Sequence, residues 1–443
     1  MNAREVALQT VRDVFVAPGG GTERSAQEAL DYRARKAALS SRDRAFATEL
    51  AYGSIKMRRA LDWYLEPFIG ERRKDLPPVI AEILRLAAYE LVYTRADTHA
   101  TVFEFVNLAK RYGHRGVANL VNAVLRSFLR DRPHDPSRDD FETDDDYLGT
   151  RYSLPTWLVR QWRATFGEQT EAICAAVNEP ARTAVTVNTL RTTGPEAIEG
   201  FAAEGIAVTP SAFVPESLLV ADAAAVVAGE ARAAGAWWVQ SESSAMPVAV
   251  LNPQPEEAIL DVCSGRGNKA LQIGARLGGT GSELCIEREA RKAKVLEARL
   301  EAAGIAAGIV IGDATAPLLG PSQRFDRGLI DAPCSGVGVV GRHPEARWKK
   351  QPGDGERLAL TQRVLLEALA PSIHEGGALV YAVCSTDRRE TVEVVEWFRS
   401  RANFERGLIP AAFEPFITEE GDVLVPPGID GRDGFFIARL EHR

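Results

Sequence analysis

Two cysteines are the side chains of this sequence with the clearest capacity for chemistry. Cys334 follows Asp331 in the stretch IDAPCSG, and Cys384 closes the stretch VYAVC. Each comes at the end of an apolar run typical of a buried strand. Because a cysteine is often only a small buried hydrophobe, a functional interpretation requires the two thiols to belong to one site.

Acidic residues close three further apolar runs, and the first run leads into a glycine loop. Asp261 precedes the loop CSGRGNK, in which Gly265 and Gly267 allow the backbone to approach a ligand before a helix begins. Glu287 follows the next run, where a carboxylate can accept hydrogen bonds from both hydroxyls of a ribose. Asp313 closes the third run and could contact an exocyclic amine. A single acid of this kind is usually a helix N-cap, but three in consecutive strands predict a nucleoside-type cofactor.

The spacing of the loop favours one cofactor over another. A dinucleotide site would require G-x-G-x-x-G, but the third glycine position is Ala270. The pattern therefore favours S-adenosylmethionine over NAD. Beside a methyl donor, a thiolate could add to carbon 6 of a cytosine and so activate carbon 5, which is otherwise a poor nucleophile. Lys269 is a candidate neighbour for that thiolate, and Asp331 is placed to contact the Watson–Crick edge of the base.

The elements that must position these residues fall into regions of different character. Residues 1–130 have apolar residues at helical spacing and predict an all-helical bundle, and the Asp- and Pro-rich residues 131–146 predict an acidic linker. Residues 147–235 predict a small α+β subdomain, and residues 236–443 alternate apolar strands with helices. This alternation indicates a mostly parallel sheet with helices on both faces. The strands predicted for the last region are 258–262, 283–287, 308–313, 327–333 and 378–383.

Composition restricts the class of protein. The 443 residues are 45% hydrophobic and 26% charged, and no apolar run is long enough to cross a bilayer. The N-terminal stretch lacks the order of a signal peptide, which predicts a cytoplasmic protein without a membrane partner. The cysteines form no CxxC pair, so neither a disulfide framework nor a metal site is expected. They are Cys174, Cys263, Cys285, Cys334 and Cys384.

The motifs IDAPCSGVGVVGRHPEARW and LVYAVCST resemble the fourth and sixth motifs of the RNA cytosine-5 methyltransferases of the Nop2/Sun (Fmu) family. RYSLPTWLVRQWRATFG, TAVTVNTLR and WWVQSESSAM are similar to segments before that family's catalytic core, and PGIDGRDGFFIARL is similar to its C-terminal strand. SRDRAFATELAYGSIKMRRALDWYL and HRGVANLVNAVLRSF resemble a NusB-like RNA-binding domain. This fusion is typical of the bacterial 16S ribosomal RNA branch, the RsmB type. The resemblance implies a NusB-like bundle followed by a Rossmann-like class I methyltransferase domain.

The resemblance also implies roles for individual residues. Cys384 matches the nucleophile that adds to carbon 6, and Cys334 matches the cysteine that assists product release. Asp331 and Lys269 complete the implied catalytic set. The positions that match the S-adenosylmethionine site are Cys263, Ser264, Gly265, Arg266, Gly267, Asn268, Lys269, Glu287, Asp313 and Asp331.

One motif departs from the family pattern. The first motif of the family reads D-x-C-A-A-P-G-G-K-T, and here it is DVCSGRGNKA. Gly265 and Arg266 replace Ala-Pro, Asn268 replaces the second glycine, and Ala270 replaces the threonine. Glu287 stands where aspartate is commoner. The aspartate, the cysteine, one glycine and the lysine are kept, so we expect the cofactor to bind through a loop of altered shape.

Charge and resemblance together predict an RNA partner. The chain has a net charge of −8, but residues 1–130 contain 21 basic and 15 acidic residues. A basic region can bind phosphates, although a solvated helix face would look the same. The predicted RNA contacts are Arg42, Arg44, Arg58, Arg59, Arg342, His343, Arg347 and Trp348, with packing as the alternative role of Trp348.

The expected activity is therefore methyl transfer from S-adenosylmethionine to carbon 5 of a cytosine in 16S ribosomal RNA, by a monomeric enzyme. Transfer RNA is the alternative substrate. DNA is disfavoured by the NusB-like region and by the second cysteine, because DNA enzymes attack with the cysteine of the Pro-Cys motif itself. A non-catalytic RNA-binding assembly factor is the third alternative, which the retained cysteines and strand-end acids disfavour.

Overall fold

A computed structural model describes residues 1–15, 24–70, 75–229 and 235–443, which divide into two compact units. Unit 1 contains residues 1–163 and 343–350, and unit 2 contains residues 164–342 and 351–443. The predicted boundary near residue 235 adjoins residues 230–234, which lie outside the described ranges. Among the described helices, none combines the length and the apolar character that a membrane span needs.

Unit 1 is helical, as predicted. Helix α5 is its centre, because it packs against α1, α3, α4, α6 and α7 and buries the apolar stripe that includes Ile80, Ile83 and Leu84. The helices are α1 Ala3–Phe15, α2 Ala26–Ala37, α3 Ser41–Lys56, α4 Arg58–Ile69, α5 Pro78–Tyr93, α6 Thr98–Tyr112, α7 Arg115–Asp131, α8 Asp144–Arg151, α9 Thr156–Phe166, which crosses the unit boundary, and the short α16 Ala346–Lys349.

The segment 131–146, predicted as a linker, packs within unit 1. The Tyr64 hydroxyl donates to Asp135 at 2.7 Å, and the Trp63 indole donates to the His134 carbonyl at 3.3 Å. The Phe141 ring lies 5.0 Å from the Trp63 ring. Aromatic residues of α4 thus give this acidic segment a surface to pack on, which its own composition does not reveal.

Unit 2 begins with a four-stranded antiparallel sheet in the order β2-β3-β1-β4. Its buried face includes Val185, Val187 and Leu218, which pack against Phe201. The elements are β1 Thr183–Val187, β2 Val208–Pro210, β3 Ser217–Val220 and β4 Trp237–Val239, with α10 Thr170–Ala176, α11 Gly194–Ala203 and α12 Ala223–Gly229.

The large sheet of unit 2 has the order β10-β12-β9-β8-β5-β6-β7, with β11 paired to β12. The five strands from β9 to β7 run parallel, as the sequence predicted, and β10, β11 and β12 pair antiparallel. The strands are β5 Ala258–Val262, β6 Ser282–Glu287, β7 Gly308–Ile311, β8 Phe325–Asp331, β9 Ile373–Val383, β10 Phe404–Arg406, β11 Val423–Val425 and β12 Phe435–His442. The helices are α13 Glu242–Leu251, α14 Asn268–Arg276, α15 Ala290–Ala303, α17 Asp354–Leu369 and α18 Val392–Arg399.

The loop after β8 makes close backbone contacts at Gly338. The Gly338 amide donates to the Cys384 carbonyl at 3.1 Å, and its carbonyl accepts from the Gly434 amide at 2.8 Å. A Cβ atom at this position would collide with the Gly434 carbonyl and would lie 3.0 Å from that of Cys384. Only glycine therefore fits without a backbone shift.

We expect Gly338→Ala to lower the free energy of unfolding by about 1–3 kcal/mol, because two backbone segments must separate. Thermal unfolding of the purified variant measures this effect. Gly320→Ala is the matched control, since a Cβ there meets no atom within 4 Å, and its stability should stay within about 0.5 kcal/mol of the parent. Equal unfolding temperatures for the two variants would contradict the close approach.

Candidate functional site

The thiols of Cys334 and Cys384 are in contact. Their sulfur atoms lie 3.2 Å apart, because β8 and β9 are adjacent parallel strands and each cysteine follows its strand at the same edge of the sheet. The structure thus brings the two thiols together at this edge, and their joint role in one site stays a prediction. The hydrogen bond with Cys384 and burial hold the pKa of Cys334 well above its usual value, so Cys334 keeps its proton.

Lys269 and Asp331 form an ion pair near this edge. The Lys269 ammonium lies 2.6 Å from Asp331 Oδ2 and 3.1 Å from the Ser244 hydroxyl, and it sits over the Phe435 ring. Lys269 is buried, whereas the Asp331 side chain is 30% exposed. Within the described ranges no hydrogen bond joins Lys269 to either thiol. Each thiol therefore has the other thiol as its hydrogen-bond neighbour. Lys269, which the sequence suggested for that place, holds the carboxylate of Asp331 instead.

The loop between β5 and α14 is held by Glu287. One carboxylate oxygen of Glu287 accepts the Gly265 amide at 2.8 Å, and the other accepts the Glu289 amide at 2.7 Å. Cys263 has φ +63°, and Gly267 has φ +90°, where a Cβ would lie 2.5 Å from Leu296. The altered loop thus keeps a left-handed backbone at the positions that turn it back toward the sheet.

Two cavities lie beside this loop and share Cys263, Gly265 and Asp331 in their linings. The first, of about 210 Å³, is also lined by Glu287 and Asp313. The second, of about 200 Å³, is also lined by Ser264, Arg266, Asn268 and Lys269. Of the residues predicted to bind the cofactor, only Gly267, which directly precedes α14, lines neither cavity. Sequence reasoning missed Ser244 and Thr361, which also line these cavities. Ser244 lies in the segment WWVQSESSAM, whose resemblance gave it no role, and Thr361 belongs to no recognised motif.

The second cavity contains a buried acid that suits a cationic ligand. The carboxyl oxygens of Asp261 are buried and have no hydrogen-bond partner among the described residues. Burial raises the pKa of Asp261 to about 7. S-adenosylmethionine carries a sulfonium and an ammonium group, so its positive charge would compensate this carboxylate. The residues present therefore fit that cofactor.

The predicted RNA contacts of helices α3 and α4 are already engaged in part. Arg42 and Arg44 are exposed, and Arg44 pairs with Asp31 at 2.6 Å. Arg58 forms a bidentate pair with Glu82, and Arg59 donates to the Leu154 carbonyl at 2.8 Å. Arg42 and Arg44 are therefore more accessible to phosphate than Arg58 and Arg59. The RNA role of all four arginines stays a prediction.

The last residues of the fourth motif serve mainly as packing groups in this structure. Arg347 is buried and donates to the Ser153 carbonyl at 3.2 Å, and the Trp348 indole donates to the Ile55 carbonyl at 2.6 Å. Both partners belong to unit 1. Arg342 pairs with Asp433 at 2.8 Å in unit 2, and the His343 side chain is 52% exposed. Packing thus accounts for Trp348 and Arg347, and of these residues His343 is the most open to solvent.

The mostly parallel sheet, the loop after β5 and the acids that follow it define an S-adenosylmethionine-dependent methyltransferase. Residues 248–441 match the family model described as 16S rRNA methyltransferase RsmB/F, residues 1–130 match the NusB family, and residues 154–227 match the RsmF/B-like ferredoxin-like domain. The chain belongs to the RsmB/F family of 16S rRNA methyltransferases. S-adenosylmethionine is its cofactor.

Curated relatives match over nearly their whole length. A probable ribosomal RNA small subunit methyltransferase B of Bacillus subtilis (strain 168) is 34% identical, over 91% of this chain and 92% of its own. A ribosomal RNA small subunit methyltransferase B of Thermus thermophilus is 33% identical, over 94% of this chain and 93% of its own.

Solved structures share the fold. The crystal structure of PH0851 superposes with a TM-score of 0.82 at 22% identity, over 100% of this chain and 99% of its own. The crystal structure of NSun6 from Pyrococcus horikoshii with SFG superposes with a TM-score of 0.57 at 20% identity, over 65% of this chain and 98% of its own.

We expect the affinity for S-adenosylmethionine to rise about tenfold between pH 6 and pH 8. Burial keeps Asp261 protonated below its pKa of about 7, and only the ionised carboxylate attracts the cation. Isothermal titration calorimetry at both pH values measures the dissociation constants. Asp261→Asn should bind more weakly at pH 8 and lose this pH dependence. An unchanged dependence in the variant would assign it to another group.

Proposed function

We propose that this enzyme transfers a methyl group from S-adenosylmethionine to carbon 5 of a cytosine in small-subunit ribosomal RNA, through a covalent adduct at carbon 6. The observation that carries the proposal is the 3.2 Å contact between Cys334 and Cys384, at the same sheet edge as the two cavities. Asp331 lines both cavities and comes three residues before Cys334, which supports a single site for the methyl donor and the thiols.

Cys384 is the proposed nucleophile because its partner keeps the proton. Either sulfur could donate in this contact, and we assign the donor role to Cys334, whose pKa is raised; a hydrogen bond donated by Cys334 would stabilise a thiolate at Cys384. The Cys384 sulfur forms a bond to carbon 6 as the carbon 5–carbon 6 double bond opens. The electron pair left at carbon 5 takes the methyl group from the sulfonium of the donor, which would leave as a neutral thioether. A base then removes the hydrogen of carbon 5, and the carbon 6–sulfur bond breaks to return the thiolate. Cys334 assists this last step by donating its proton toward the departing sulfur.

Asp331 is proposed to hold the target base. Its carboxylate is partly exposed, and the ion pair with Lys269 fixes its orientation at 2.6 Å. A carboxylate in this position can accept a hydrogen bond from the exocyclic amine of cytosine. Because Lys269 is buried and cannot reorient freely, we propose that it acts by holding Asp331. The cofactor, when bound, supplies the electrophilic methyl group.

The names of the curated relatives support the ribosomal RNA substrate, since those proteins are small subunit methyltransferases. The excess of basic residues in 1–130 is consistent with phosphate contact, and we propose that this region binds RNA as a NusB-like domain. The proposed domains after residue 130 are an acidic segment at 131–146, a small α+β domain at 147–235 and a catalytic domain at 236–443. We propose that the enzyme acts as a monomer. The target cytosine must be unpaired or extruded, because a thiol can attack carbon 6 only from the face of the ring.

Cys384→Ala should lower kcat by at least about three orders of magnitude and leave no covalent protein–RNA species, because no other thiol replaces it. Cys334→Ala should turn over poorly but accumulate the covalent species, because attack proceeds and release does not. Denaturing gel electrophoresis of enzyme incubated with labelled RNA and cofactor distinguishes the two. Accumulation with Cys384→Ala and none with Cys334→Ala would reverse the assigned roles.

Bisulfite sequencing tests the substrate. RNA from cells that lack this gene should lose one cytosine methylation in small-subunit RNA, and the parental gene, but not its Cys384→Ala form, should restore it. Loss confined to transfer RNA would identify the alternative substrate. If no cytosine changes in either RNA, the proposed activity is wrong.

A further inference from the structure

A buried carboxylate contacts the two segments that carry the cysteines, which are Cys334–Ser335 after β8 and Cys384–Ser385 after β9, here called the cysteine loops. Glu390 is fully buried in the segment between β9 and α18. One of its oxygens accepts the Ser335 amide at 2.9 Å and the Gln362 side-chain amide at 3.0 Å. The other accepts the Ser385 hydroxyl at 2.7 Å and also the Ser335 hydroxyl. A single carboxylate is thus bonded by four donors from three separate segments.

Three of these four donors belong to two serines that adjoin the cysteines in sequence. Ser335 directly follows Cys334, and Ser385 directly follows Cys384. The two serine hydroxyls lie 3.0 Å apart, so Glu390 holds the backbone after each cysteine at one point. Gln362 extends the link, because its amide also donates to the carbonyl of Pro333 at 3.0 Å.

Burying a carboxylate at this position lowers the stability of the fold unless the carboxylate is fully hydrogen-bonded, so its presence here indicates a specific role. Burial raises the pKa of Glu390, while the serine and glutamine donors oppose that shift. No lysine or arginine forms an ion pair with Glu390 in the parts of the chain that the structure describes. A buried polar network is tolerated only when its members are satisfied, and a satisfied one specifies a single arrangement. The arrangement specified here is that of the two cysteine loops.

We propose that Glu390 is a positioning residue that sets the separation of the Cys334 and Cys384 sulfurs and thereby permits proton donation between them. Its effect on the methylation reaction rests on the proposed function, whereas its effect on the thiols does not. Glu390 does not line either cavity, so it acts only through the two loops.

Glu390→Gln is the informative variant because it keeps the size of the side chain but offers one acceptor oxygen and places an NH₂ group against donors. Glu393→Gln is the matched control, since Glu393 lies three residues further along, in the first turn of α18, and is exposed. We expect Glu390→Gln to lower kcat by about a hundredfold, as a displaced catalytic group does, with the KM values for RNA and cofactor nearly unchanged. Glu393→Gln should behave as the parent does.

Phenylarsine oxide tests the geometry without RNA or cofactor, because its trivalent arsenic forms two bonds to sulfur and needs two adjacent thiols. The parent and Glu393→Gln should bind it equally, and Cys334→Ser should lose this high-affinity binding. We expect Glu390→Gln to bind it at least tenfold more weakly while keeping the parental circular dichroism. Should Glu390→Gln fail to fold, Ser335→Ala combined with Ser385→Ala carries the same test, because it removes two donors and keeps the acid.

Parental arsenical affinity in the folded Glu390→Gln variant, or in the double serine variant, would overturn the inference. Weakened arsenical binding in an enzyme that methylates no cytosine would instead leave the positioning role intact and reject the proposed function. A rise in KM without a fall in kcat would also overturn it, because that result assigns Glu390 to substrate binding.

Discussion

The parallel pairing of β8 with β9 is the interaction on which the rest of the site depends. Residues Gly328 to Asp331 lie opposite Leu379 to Ala382, and the Ala332 amide then bonds the Ala382 carbonyl at 2.9 Å. A slip of one residue would turn every side chain of the shifted strand to the other face of the sheet. Asp331 would then leave the cavities, and the two thiols would separate. The buried residues of both strands fix this register through their packing, so the hydrophobic core determines the chemistry at its edge.

The site also concentrates buried acids that a stability criterion alone would remove. Asp261 has carboxyl oxygens without a partner among the described side chains, and Glu390 is bonded only by neutral donors. Asp261 faces a cavity that suits a cation, whereas Glu390 faces the loops. These different surroundings suit different roles. A carboxylate without hydrogen-bond partners can pair with a ligand, whereas one whose hydrogen bonds are all made within the protein stabilises the arrangement of its neighbours.

Periodicity predicted the fold well because its signal is local. The strand predicted at 258–262 has those bounds, and the other catalytic strands differ by a few residues at their ends. Strand-end acids such as Glu287 and Asp313 were placed at one cavity by the rule that parallel strands end at one edge. The pairing of Lys269 with Asp331 was missed, since 62 residues separate them and spacing does not show which partner an ammonium group chooses. Glu390 was missed for the same reason, because its partners come from loops that sequence pattern alone does not connect.

The packing of residues 343–350 in unit 1 has a consequence for synthesis. This unit is discontinuous, because its first 163 residues are completed by a segment that comes 180 residues later in the chain. Arg347 and Trp348 donate to carbonyls of α3 and of the loop before α9, and Trp348 packs against the core of the helical unit. A nascent chain would therefore wait roughly 10–40 s, at the usual rate of translation, before this part of its N-terminal half could form. Throughout that interval the carbonyl of Ile55 and its surroundings would stay open to solvent or to a chaperone.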